Sequence, residues 1–152
     1  MKTLVGNIVV WLSAVVMIYY GGSKIGDPEW LGRIGVTLGW AGVDSVLATW
    51  LPWLEVGLGF LLISDGKVGS GARRCTAALL FAFLPFLLYF LLSGMTDCGC
   101  GGEGGGGVLS HPAFGIVRNL FLGAGLLWAN TLNVWPFSSF DRRCPPGHNP
   151  CG

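Results

Sequence analysis

The chain has 152 residues and a formal net charge of +1, with only 11% charged and 52% hydrophobic residues and a mean hydropathy of +0.62. A soluble globular domain carries about 25% charged residues, so this composition points to a chain solvated mainly by lipid. The near-neutral balance excludes a broad basic face for nucleic acid, and the length fits a single domain.

Four segments are apolar enough to be read as membrane spans, which need roughly 20 residues each. The first is Leu4 to Tyr20, ending in Tyr19-Tyr20-Gly21-Gly22, an aromatic boundary of the kind found at membrane interfaces. A signal peptide with Lys2 as its basic region is the alternative for this segment, but no small-residue cleavage site follows it. After it, Asp27-Pro28 places a capping residue before a proline suited to a first helical turn. Trp30, Leu31, Ile34 and Leu38 then recur at helical spacing, and Glu29 precedes Arg33 by one turn. The stretch from Pro28 to about Trp40 reads as a short helix, too short to span, lying at the interface or packed on the bundle.

The second span is Val46 to Ile63, with Pro52 and Glu55 inside it. The third is Thr76 to Leu92, interrupted by Pro85, which leaves Asp65 to Cys75 as a polar connector. The fourth is Ala113 to Leu132, with Arg118 and Asn119 near its start. Spans must be helical, because lipid offers no partner to backbone N–H and C=O groups. The expected fold is therefore an all-α membrane protein: four transmembrane helices over residues 1–132, a short interfacial helix after the first, and a C-terminal tail, 133–152. That tail holds Cys144, His148 and Cys151 among prolines, in a spacing that matches no zinc pattern.

Six of the nine Lys and Arg fall with the termini and the second connector: Lys2, Lys67, Arg73, Arg74, Arg142 and Arg143. Lys24, Arg33 and Arg118 fall on the other side. By the positive-inside rule the termini are cytoplasmic and the connector between the third and fourth spans faces outward. In a bacterial inner membrane that is the periplasmic side, where disulfides persist.

That connector contains Cys98-Gly99-Cys100. A disulfide between residues i and i+2 closes a strained ring, and strain favours exchange over stapling. Gly99 gives the backbone freedom to permit it. Asp97 would raise the thiol pKa, whereas Arg118 or a helix N-terminus would lower it. Inert thiols are one alternative. A soft-metal site shared with His111 is another. The glycine run Gly101-Gly102 and Gly104 to Gly107 lacks the Lys-Ser/Thr of a phosphate loop.

Inside the spans, Glu55 must be protonated, paired or turned to an internal cavity, and Arg118 is its candidate partner. Interfacial snorkelling is the other reading of Arg118. Pro52 frees a backbone carbonyl one turn before itself. Asn119 and Asn130 are expected to join helices by hydrogen bonds, and Gly57 and Gly59 to let backbones approach closely. Trp50, Trp53, Trp128 and Trp135 read as interface or packing residues.

The blocks Lys24-Ile25-Gly26-Asp27-Pro28, Leu51-Pro52-Trp53-Leu54-Glu55-Val56-Gly57-Leu58-Gly59, Asp97-Cys98-Gly99-Cys100-Gly101 and Arg118-Asn119-Leu120 occur in an order that resembles the MauE/DoxX group of four-helix membrane proteins. The resemblance covers residues 1–132. Members commonly place an aromatic residue and then glycine after the second cysteine, where this chain has Gly101-Gly102-Glu103. MauE-like proteins are associated with maturation of periplasmic methylamine dehydrogenase, whose small subunit is rich in disulfides. DoxX-like relatives are linked with quinol oxidase or thiosulfate-oxidising complexes.

The resemblance implies a thiol–disulfide redox component. Cys98 and Cys100 would be its redox pair and Glu55 and Arg118 its supporting polar residues. A periplasmic thioredoxin-like protein would be the exchange partner, and a membrane quinone would accept electrons by analogy with other membrane thiol oxidases. A non-catalytic accessory subunit packed against a larger membrane complex is the alternative.

Overall fold

The computed structural model describes residues 2–25, 43–64, 66–94 and 111–132, with the side chains of 43–48 left outside. The interfacial helix expected at Pro28 to Trp40, the Cys98–Cys100 connector and the C-terminal tail all lie outside these residues.

Among the described residues every regular element is helical: α1 (Lys2–Ile25), α2 (Val43–Ile63), α3 (Gly66–Ala82), α4 (Leu84–Leu92) and α5 (Pro112–Thr131). Helices close their own backbone hydrogen bonds, which is what an apolar surrounding demands. Three stretches are long and apolar enough to cross a membrane: Lys2–Ile25, Gly66–Leu92 and Pro112–Thr131. The part of α2 with described side chains, Thr49–Ile63, is apolar but shorter. The protein is an all-α membrane protein.

Buried positions on α1 are Gly6, Val9, Val10, Ser13, Ala14, Met17, Gly21 and Lys24, recurring at three and four residues along one stripe. The outward face carries Leu4, Ile8, Trp11, Val15 and Tyr19, all exposed. Large apolar side chains therefore point outward while small and polar ones point inward. A water-solvated helix would do the reverse; a lipid-solvated bundle packs through small residues. The core joins Val10, Ala14 and Met17 of α1 to Leu62, Ala72, Ala77, Leu80, Leu122, Leu126 and Ala129.

Neighbours run antiparallel. A Cβ on Gly21 would meet the Pro52 carbonyl at 2.9 Å, and one on Gly59 would meet Ile18 Cγ1 at 2.7 Å, so α1 and α2 touch nearly backbone to backbone. Along the α1–α5 seam Gly125 faces Val9, and along α3–α5 Gly123 faces Phe81. The expected close approach at Gly59 is present. Gly57 faces open space and makes no such contact.

The third span departs most from expectation. Its helix begins at Gly66, whose φ of 76° suits glycine, and absorbs the segment expected to be a connector. Arg73 is buried at 3% exposure, so it is a bundle residue and not a loop charge. The sequence misleads because charged side chains of the first turns lower the hydropathy without ending the helix. The span then breaks at Phe83: Pro85 brings no N–H to the ladder and crowds the carbonyl four residues earlier. The Phe83 N–H still donates to the Leu79 carbonyl (3.2 Å), and Leu87 N–H donates to the Phe83 carbonyl (3.0 Å). At the far end Gly94, φ 71°, closes α4 in the left-handed conformation, its N–H donating to the Leu91 carbonyl.

Candidate functional site

Helices α1, α2 and α5 bring polar side chains together, beside a backbone carbonyl of α3, in the half of the bundle where α1 ends and α5 begins. Lys24 Nζ donates to both carboxylate oxygens of Glu55, at 2.7 and 2.8 Å, and both residues are buried. Each lies on its helix's inward stripe: Gly21 and Lys24 on α1, Pro52, Glu55, Gly59 and Leu62 on α2. The ammonium also stands 5.9 Å from the centre of the Phe83 ring, at the break in the third span. Two opposite charges removed from water hold each other strongly because little else solvates them.

One turn before Lys24, Tyr20 offers its ring face to the Arg118 guanidinium, 4.1 Å away. Arg118 Nε and Nη2 each donate to Asn119 Oδ1 at 3.2 Å. Asn119 is almost fully buried and its Nδ2 donates to the Leu80 carbonyl of α3 at 3.2 Å. That carbonyl lies just before the break at Phe83, where the regular ladder ends.

Arg118 was the expected partner of Glu55; the structure gives Glu55 to Lys24 and stacks Arg118 on Tyr20. Lys24 lies near a helix end, which makes it look like an interfacial charge. Its place on the Gly6-to-Gly21 inward stripe is the signal that identifies it as buried. Asn119 and Asn130 do join helices as expected, Asn130 Oδ1 accepting from Ser70 Oγ at 2.8 Å. His111 caps α5, its Nδ1 accepting the Ala113 N–H at 3.2 Å, so that nitrogen is engaged by the backbone. Trp50, Trp53 and Trp128 are exposed on the outer surface, as interface or lipid-facing residues should be; Trp135 lies outside the described residues. Cys98 and Cys100 do too; Cys75 is a free, exposed thiol on α3.

An antiparallel helical bundle with an inward ion pair, small-residue seams and an apolar outer surface defines a multi-pass membrane protein in contact with lipid. The sequence model of the family described as methylamine utilisation protein MauE matches residues 2–132, and the chain belongs to that family. No curated relative and no solved structure matches it.

Proposed function

We propose that this protein is the thiol–disulfide redox component of a methylamine utilisation system, with Cys98 and Cys100 as the exchanging pair. It sits in a bacterial inner membrane with both termini cytoplasmic and the pair on the periplasmic side. In the productive direction, a thiolate of a reduced periplasmic partner attacks the Cys98–Cys100 disulfide and forms a mixed disulfide. The partner's second thiolate then resolves it. The partner leaves oxidised, and the pair is left as a dithiol holding the two electrons and two protons. Reoxidation needs a two-electron acceptor, and a membrane quinone is the chemical class that fits; no residue is assigned to it.

The observation that carries this reading is one of chain continuity. The segment bearing the pair joins Gly94 to His111, and α5 enters the bundle there with Arg118 on its second turn. The N-terminal end of α5, where that segment enters, favours the thiolate that exchange requires, and membership of the MauE family supports placing that exchange in a methylamine utilisation system.

Alkylation of intact membranes tests the proposal. Cys98 and Cys100 should interconvert between oxidised and reduced forms with external redox poise, and a partner variant lacking its second thiol should be trapped as a mixed disulfide with the oxidised pair. A Cys98→Ser/Cys100→Ser variant that still supports oxidation of the periplasmic partner would sink the redox role and leave that of an accessory subunit in a larger membrane complex.

A further inference from the structure

We infer that Arg118 holds the phosphate headgroup of an anionic phospholipid in the seam between α1 and α5. The inference is independent of the cysteine pair and starts from charge balance. Of the carboxylates, Glu55 alone has a described side chain, and both its oxygens are taken by Lys24. Arg118 thus carries a positive charge with no anion among the described residues. Its Nε and Nη2 are bound to the neutral Asn119 amide, and Nη1 is covered and meets no acceptor. Guanidinium groups take oxyanions through paired N–H donors, phosphate above all. The Tyr20 ring sets the plane in which the group can turn, and the neutral Asn119 amide holds its Nε–Nη2 edge, which an anion would take over.

The position selects a lipid as the source of the phosphate. Arg118 is half-buried, six residues after Pro112, about 9 Å along the helix axis from where α5 starts. A long side chain at that depth reaches headgroup level. Val117 and Phe121 beside it and Tyr19 across the seam are all exposed, an apolar track on which acyl chains can lie. Because Nη1 is covered where the side chain now rests, binding turns the guanidinium outward along the Tyr20 face.

The test uses the full chain purified in a neutral detergent, followed by tryptophan-monitored thermal unfolding and native mass spectrometry. Phosphatidylglycerol, phosphatidylcholine and inorganic phosphate are titrated separately. Phosphatidylglycerol should raise the unfolding midpoint and remain bound, and Arg118→Gln should weaken its apparent affinity at least tenfold. Should Arg118→Gln not fold, Arg118→Lys, which keeps the charge but loses the fork, should show an intermediate loss by mass spectrometry. Equal stabilisation of wild type and Arg118→Gln by phosphatidylglycerol overturns the site. A full effect from inorganic phosphate alone overturns the lipid as its occupant. A tenfold or greater gain in phosphatidylglycerol affinity in Asp97→Asn or Glu103→Gln, with Arg118 intact, assigns the counter-charge to the connector instead and also overturns it.

Discussion

Lys24 and Glu55 lie thirty-one residues apart in sequence and meet in the bundle interior, the ammonium held between both carboxylate oxygens at 2.7 and 2.8 Å. The pair closes the α1–α2 seam where Gly21 has already brought the backbones together. It makes a sharp prediction. Glu55→Gln takes the carboxylate away from a buried ammonium and should cost about 3–5 kcal/mol of stability. Lys24→Met/Glu55→Leu removes both charges and should recover most of that loss, because apolar replacements of a buried pair are often neutral. Unfolding midpoints in detergent of Lys24→Met, Glu55→Leu and the double variant complete the cycle and measure the coupling. Additive losses in the two single variants would show that the pair does not hold the seam.

The α1–α2 seam depends on two glycines and not on a third. A methyl group on Gly21 would meet the Pro52 carbonyl and Val56 at 2.9 Å, and one on Gly59 would meet Ile18 Cγ1 at 2.7 Å and the Ala14 carbonyl at 3.1 Å. Backbone oxygens cannot rotate aside, so Gly21→Ala and Gly59→Ala should each cost about 1–3 kcal/mol, the usual range for overpacking. Gly57 has nothing within 4 Å of the added carbon. Gly57→Ala should be neutral or stabilising through its better helix propensity. Melting temperatures of the three variants, taken side by side, decide this, and equal losses at all three positions would contradict the packing.

Much of this architecture is legible in the sequence, for a physical reason. Lipid solvation makes spans long and apolar, so α1, α2 and α5 differ from the read segments only at their ends. The third span is harder. Lys67, Arg73 and Arg74 look like a loop, yet they occupy the first turns of a helix whose charges lie at one end of the bundle. Glu55 and Arg118 are conspicuous as charges in apolar runs, but hydropathy does not say which partner each takes. Pairing is set by how α1, α2 and α5 rotate about their axes, and that rotation is written in the small-residue stripes. Lys24 is read correctly only when its spacing from Gly21 and Met17 is given more weight than its nearness to the helix end.

Asn119 ties the interrupted third span to α5 and orients Arg118 at the same time. Its Nδ2 holds the Leu80 carbonyl while its Oδ1 receives two donors from Arg118. Interhelical hydrogen bonds in membranes average about 0.6 kcal/mol and reach about 1.7. Asn119→Ala should fall at or above the upper end, since it strands a buried carbonyl and a guanidinium together. Ser70→Ala removes only the half-buried bond to Asn130 and should fall near the average. The two losses should also differ in kind. Asn119→Leu frees the Arg118 guanidinium to turn on Tyr20, so it should alter the near-ultraviolet tyrosine signal, whereas Ser70→Ala should leave that signal unchanged. Matching midpoints and matching spectra for the two variants would show that Asn119 is an ordinary helix–helix tie and that Arg118 is held in place by the ring alone.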